Sequence, residues 1–298
     1  MSGPKKKEGE FNKMKELIGV IGKGYVGNAF IDMVKDKYDV IARDTKNYYN
    51  YSDGSYDTMA LPSKNDYTAF NTAKLAVICV PTPMKKNKEA DISIVEEAVK
   101  NLNVPVILIK STVPPGTTDY LKKKYKKRIV FSPEFVGEGK YYITPRMDFH
   151  TDMKACPWLT LGGDEKDCNY ILDLLIPILG PEKRYYKTTA IEAEVAKYME
   201  NSYFGVKITF AQEFYDICKT FGADWYKVWQ AWSADPRVDV MHTAVFPKAR
   251  GFSNKCLPKD LNAIVKASKK KGYTPVMLEA MLKSNKEIRR KNGQKLDY

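Results

Sequence analysis

Short, continuous apolar runs separated by stretches of helical period dominate the first half of the chain. ELIGVIG (16–22), YDVIA (38–42), AKLAVICV (73–80), VPVILIK (104–110), RIVFSP (128–133) and PWLTLGG (157–163) read as strands. Runs that are apolar throughout, rather than at alternate positions, belong to strands buried on both faces. Between them Tyr25–Lys35, Ser93–Asn101 and Thr117–Lys127 carry helical spacing, the last opening after Pro-Pro-Gly. Such alternation predicts an α/β fold: a Rossmann-like, doubly wound parallel sheet with helices on both faces.

From about Thr188 the pattern changes to a single helical period that runs without proline to Gly222. Residues from Val195, Tyr198, Met199 and Ser202 to Phe214 and Ile217 spread around much of its circumference, more apolar surface than one neighbouring domain would cover, so a second copy of the chain is expected against this helix. Further helices are expected at Trp225–Ser233, Asp260–Lys271 and Pro275–Lys291. The reading is a basic, disordered tail over residues 1–14, a dinucleotide-type domain over 15–187 and a mainly helical domain over 188–298.

Composition narrows the class. No apolar run approaches the ~20 residues a membrane helix needs, and the basic N-terminus lacks the apolar core of a secretory signal. Five cysteines without a CxxC pair, and two histidines, give no metal-ligand spacing and suggest a reducing, cytoplasmic setting. The net charge of +13 suits anionic partners, either a phosphate-bearing small ligand or nucleic acid. That charge keeps a non-catalytic NAD-binding or nucleic-acid-binding scaffold as the alternative to an enzyme, although the lysine runs lack the interleaved aromatics of a nucleic-acid module.

Chemistry enters at the end of the first strand. Gly22, Gly24 and Gly27, with Tyr25 and Val26 between them, form GxGxxG where a helix should begin, the arrangement that rests a pyrophosphate on a helix N-terminus. Asp44 closes the second strand, where a carboxylate accepts ribose hydroxyls and repels a 2'-phosphate, which favours NAD over NADP; Arg43 beside it pulls slightly the other way. VPTP (80–83), with Val80 and Thr82, and KSTVPPGTT (110–118), with Thr112, fall beyond the carboxyl ends of strands. In GFSNKCLPKD (251–260) Cys256 stands among two lysines and a carboxylate; cationic neighbours activate a thiol, while most free cysteines are small buried hydrophobes, and the stretch alone leaves both readings open.

In order along the chain GKGYVG, VPTP, KSTVPPGTT, SPEFVGEG, EAEVAKYMEN and GFSNKCLPKD resemble the motifs of the nucleotide-sugar (UDP-glucose/GDP-mannose) dehydrogenases. The resemblance implies an NAD-dependent, two-step oxidation of a sugar's primary alcohol, UDP-glucose first among candidates and GDP-mannose or a UDP-N-acetyl-hexosamine behind it. By the same resemblance Cys256 is the nucleophile, Lys197 a cation at the developing alkoxide, and Asn201 and Asp260 the holders of a catalytic water. It also makes Glu134 the base for thioester hydrolysis, places Thr112 and Glu138 near the nicotinamide, and gives Lys259 a cofactor contact. Phe135, Phe252 and Ser253 are expected beside the sugar, and Arg237 is expected to reach it across a homodimer. Two departures matter: Ser253 and Asn254 replace the family's glycines, and the chain stops at Tyr298, where relatives continue into a nucleotide-binding third domain. A separate chain supplying that surface is one expectation that follows.

Overall fold

The computed structural model describes residues 15–52, 55–63, 66–136, 152–253 and 256–296. The predicted basic tail, Glu138 and Asn254 therefore lie outside the described residues.

One nine-stranded sheet carries the first half. In chain order it contains β1 (Leu17–Ile21), β2 (Asp39–Arg43), β3 (Asn47–Ser52), β4 (Ser55–Ala60), β5 (Leu75–Ile78), β6 (Val106–Ile109), β7 (Ile129–Phe131), β8 (Trp158–Gly162) and β9 (Arg184–Thr188). Across the sheet the order is β4-β3-β2-β1-β5-β6-β7-β8-β9. β1 pairs in parallel with both β2 and β5, so the winding direction reverses between them. Ligands of doubly wound sheets bind at that reversal, beyond the carboxyl ends of the strands. GKGYVG, VPTP and KSTVPPGTT leave β1, β5 and β6 at that end.

The helices α1 (Tyr25–Val34), α2 (Ser93–Asn101), α3 (Thr117–Tyr125) and α4 (Glu165–Leu179) cover the faces. Ile18 and Val20 point into one core with Phe30 and Val34 of α1 and Ile171 and Leu175 of α4. Ile21, Ala76 and Ile78 point into the other with Val95 and Val99 of α2 and Leu121 of α3. Burial on both faces is why β5 and β6 consist of apolar residues alone.

Three elements go beyond the sequence reading. The hairpin β3–β4 extends the sheet antiparallel past β2, α4 fills the interval before β9, and β9 lies parallel to β8. The hairpin carries a tyrosine group in which Tyr49 and Tyr51 each pack against Tyr56.

The second half is helical: α5 (Ala190–Thr220), α6 (Trp225–Ser233), α7 (Leu257–Lys270) and α8 (Val276–Lys291). Thr189 opens α5 with a reciprocal capping box, its hydroxyl accepting from the Glu192 amide and the Glu192 carboxylate accepting from its own amide. Within the single chain α5 is not covered all round. Its buried face is polar, with Glu194, Lys197, Asn201, Ser202, Thr209 and Gln212. Its exposed face is apolar, with Ile191, Val195, Met199, Tyr203, Phe210, Phe214, Ile217 and Phe221. Tyr198 and Ser202, read from the sequence as part of the apolar circumference, are buried.

One correction concerns α7, which begins at Leu257 rather than Asp260. Proline is accepted in a first helical turn because the amide it lacks has no intrahelical partner there. Pro258 therefore does not delay the helix, and Cys256 becomes its N-cap residue.

Candidate active site

The glycine motif has the shape a dinucleotide needs. Gly22 lies at φ +93°, and a Cβ there would stand 2.6 Å from the Cys79 carbonyl oxygen, so the turn after β1 accepts only glycine. A Cβ on Gly27 would come within 1.9 Å of the Gly22 carbonyl oxygen, which fixes how closely α1 approaches the turn. Gly24 differs: nothing stands within 4 Å of where its Cβ would be. That open space over the N-terminus of α1 is a cradle that a side chain would fill, and it fits a pyrophosphate.

Around the cradle, Tyr25 is exposed, Val26 packs against the core and Val80 is buried. Lys23, inside the motif, holds its ammonium 4.8 Å from the centroid of the Tyr49 ring, with Tyr51 and Tyr56 also within reach. Asp44 follows β2, its Oδ1 accepting from the Thr45 amide at 2.8 Å. Neighbouring Arg43 is buried, its guanidinium carbon over the Tyr67 ring 4.2 Å from its centroid, while Nη1 donates to the Tyr67 hydroxyl at 3.1 Å. With that guanidinium committed to the interior, the carboxylate sets the preference at this end, in favour of NAD.

A chain of hydrogen bonds joins the strand ends to the helical half. The Thr82 hydroxyl donates to the Thr112 carbonyl oxygen at 2.7 Å and accepts from Lys259 Nζ at 3.3 Å. Lys259 also pairs with Asp260 Oδ1, and Asp260 Oδ2 accepts from Asn201 Nδ2 at 2.6 Å. Asp260 and Asn201 are both buried. Cys256 sits one turn before Asp260, its carbonyl oxygen accepting the Asp260 amide at 2.9 Å. The cysteine is exposed at the start of α7, where the helix dipole favours an anion.

One turn back along α5, Lys197 is buried, pairs with Glu200 at 2.8 Å and stands 5.0 Å from the centroid of the Phe135 ring. Burial holds the Glu200 carboxyl above its ordinary range despite Lys197. Glu134 Oε1 accepts from the Phe135 and Val136 amides at 2.9 and 2.8 Å, and Oε2 pairs with Lys110 at 3.0 Å. The residues the sequence singled out thus form two groups on successive turns of α5: Asn201, Asp260, Lys259, Thr82 and Thr112, and then Lys197, Phe135 and Glu134.

Others fall elsewhere. Arg237 is exposed and pairs with Asp235. Phe252 is buried among Leu261 and Met281, and Ser253 is half-buried.

Four polar residues that sequence reasoning passed over hold the arrangement: Lys110, Glu194, Glu200 and Asn285. Lys110, Glu194 and Glu200 lie inside motifs already quoted, so their places were visible though their partners were not. Glu194 is fully buried, and its carboxylate accepts from the Gly116 amide at 2.5 Å, the Thr118 amide at 2.8 Å and the Thr118 hydroxyl at 2.6 Å. It thereby caps α3 from α5.

Comparison with known proteins decides the family. The profile described as "UDP-glucose/GDP-mannose dehydrogenase family, NAD binding domain" matches residues 51–170, and that of the same family's central domain matches residues 191–287. The chain belongs to the UDP-glucose/GDP-mannose dehydrogenase family. Its dinucleotide site is accordingly an NAD site. A UDP-glucose 6-dehydrogenase of Rickettsia bellii is 30% identical over 249 residues, 78% of this chain and 55% of that one. The UDP-glucose 6-dehydrogenase TuaD of Bacillus subtilis is 31% identical over 236 residues, covering 74% and 48%. The chain spans about half the length of these curated relatives. A solved UDP-glucose dehydrogenase from Pyrobaculum islandicum shares the fold, with a TM-score of 0.74 at 23% identity over 96% of this chain and 71% of that one.

Proposed function

We propose that the chain oxidises the 6-hydroxymethyl group of a nucleotide sugar to the carboxylate through a covalent intermediate on Cys256, with UDP-glucose as the first substrate. The observation that carries this reading is the convergence of Cys256, at the start of α7, with the buried Asn201–Asp260 pair and with Lys259, which reaches Thr82 of the NAD-binding half. UDP-glucose is preferred because the relatives at 30% and 31% identity bear that name.

Two NAD molecules, bound one after the other, would each accept one of the two hydrides that leave when a primary alcohol becomes an acid. The glycine turn over α1 would hold the cofactor's pyrophosphate, Asp44 its adenosine ribose, and Val80, Thr82, Thr112 and Lys259 its nicotinamide side. Cys256 adds through sulfur to the aldehyde carbon, and the thiohemiacetal keeps the intermediate on the protein until it becomes a thioester. Lys197 stabilises the oxygen that gains charge on attack. Asn201 and Asp260 hold the water, and Glu134 takes its proton during hydrolysis. Ser253 borders the sugar, with Phe252 buried behind it among Leu261 and Met281.

The same reading divides the protein into domains at residues 15–187 and 188–298, places it in the cytoplasm, and pairs two copies through the apolar face of α5 so that Arg237 serves the neighbouring site. Among the described residues no helix is long and apolar enough to cross a membrane. A separate chain could complete the surface around the nucleotide.

The test is stoichiometric. Purified protein with UDP-glucose and NAD should form two NADH per sugar, and Cys256→Ser should abolish that turnover. Preference for GDP-mannose or a UDP-N-acetyl-hexosamine in a substrate panel would reassign the sugar. No NADH with any nucleotide sugar would end the proposal.

A further inference from the structure

The stretch before Cys256 is held by α5, beyond its candidate catalytic residues, and by α8, which takes no part in the chemistry described above. Arg250 is buried against α5: Nη2 donates to the Gln212 carbonyl oxygen at 3.0 Å, Nη1 pairs with Asp216 at 2.9 Å, and the guanidinium lies 4.5 Å from the centroid of the Tyr215 ring. From α8, Arg289 Nη1 donates to the Arg250 carbonyl oxygen at 3.2 Å. The next contacts are more specific. The Phe252 amide donates to Asn285 Oδ1 at 2.8 Å, and Asn285 Nδ2 donates to the Phe252 carbonyl oxygen at 3.0 Å.

One planar side chain thus satisfies both main-chain groups of one loop residue, as a neighbouring strand would. Asn285 is fully buried, so both bonds form away from water, where leaving either group unpaired is costly. Gly251 is shaped to the same contact. It lies at φ +70°, and a Cβ there would come within 2.4 Å of Asn285 Oδ1.

We infer that Asn285 is a positioning residue for Cys256: by clamping Phe252 from α8 it fixes the path of the nucleophile loop into the N-terminus of α7. The inference rests on the reading of Cys256 as the nucleophile. On the far side of Cys256, Pro258, Asp260 and Leu261 of α7 are buried, so the cysteine lies between two anchored points. Sulfur placement then depends on the clamp, and attack on a carbonyl carbon falls steeply with small displacements.

The experiment compares the full chain with Asn285→Leu, Asn285→Asp and, as a control on the same helix, Arg290→Ala. Turnover is measured with UDP-glucose and NAD. The rate at which iodoacetamide alkylates Cys256 is followed by peptide mass spectrometry, which needs neither cofactor nor sugar.

Asn285→Leu should lower kcat at least about tenfold, with KM for NAD within about twofold because the clamp is remote from the glycine turn. Its Cys256 should be alkylated at least about threefold more slowly as the sulfur leaves the helix N-terminus that favours its reactive anion. Asn285→Asp keeps the shape and the acceptor but loses the donor, so it should fall between. It carries the test if Asn285→Leu does not fold. Arg290→Ala should match the wild type. A folded variant at Asn285 with wild-type alkylation overturns the inference, as does a loss of turnover that follows NAD binding alone. If the wild type oxidises no nucleotide sugar, the functional reading fails while the alkylation rates still decide the role of Asn285.

Discussion

Glu194 offers the sharpest test of how the two halves are joined. Its fully buried carboxylate receives three hydrogen bonds from the first turn of α3. Two influences oppose each other there. Burial penalises the charged form, whereas donors from Thr118 and Gly116 favour it, and burial wins: the carboxyl is pushed up to about 7 from an ordinary 4.5. A folded-state value above the unfolded one means that the native protein binds the extra proton. The associated stability is fully present below about pH 4.5 and is lost as pH rises through about 7. That displacement corresponds to about 3 kcal/mol, since tenfold in a protonation equilibrium is worth about 1.4 kcal/mol. In Glu194→Gln the side chain stays neutral at every pH, and its amide meets one of the backbone donors head-on at a cost of about 1–3 kcal/mol. Urea unfolding of both proteins across pH 4 to 8 measures the difference. The wild type should be the more stable at low pH, and its advantage should shrink by about 3 kcal/mol toward pH 8. An advantage that grows with pH would refute the reasoning, because the three donors would then outweigh burial and hold the carboxylate ionised.

Two further outcomes follow from other parts of the structure. Gly24→Val should fold with near wild-type stability, because nothing stands within 4 Å of the added Cβ, yet it should lose NAD binding by calorimetry. Unchanged NAD affinity would move the pyrophosphate away from α1. For assembly, light scattering at micromolar concentration should return a dimer mass, and Met199→Glu with Phe214→Glu should return a monomer; a wild-type monomer with full activity would contradict the pairing.

How much of this was legible follows from what kind of signal each feature leaves. Strands buried on both faces announce themselves as apolar runs, so β1, β2, β5, β6, β7 and β8 stood where the pattern put them. The hairpin did not: β4 is exposed throughout and β3 mostly half-buried, and neither is an apolar run. An Asp53-Gly54 pair between the two runs was the available cue for a tight turn. Pro177 sits inside α4 and interrupts a pattern otherwise helical from Glu165 onward. β9 leaves little trace because RYYKT is largely exposed.

The site divides along similar lines, and the division has a physical cause. Motif residues are readable because turn geometry and helix starts impose local spacing: the glycines of GKGYVG, and the four residues that separate Lys197 from Asn201. A residue that holds a motif in place is defined instead by a partner far along the chain. Glu194 meets Thr118 across 76 positions and Asn285 meets Phe252 across 33. Neither distance has a period, and an isolated glutamate or asparagine on a helix has the composition of a solvated face. Burial is what separates them from surface residues, and burial of a helix face is fixed only when the partner elements have packed. α5 makes the point most clearly. Its apolar residues exceed what one domain would cover, but they do not say which side turns inward; packing turned Glu194, Lys197 and Asn201 inward, where that face meets the start of α3 and the first turn of α7. A helix that spends its buried face on polar contacts must leave its apolar face outward, and the long hydrophobic stripe of α5 is therefore a consequence of where the candidate catalytic residues lie.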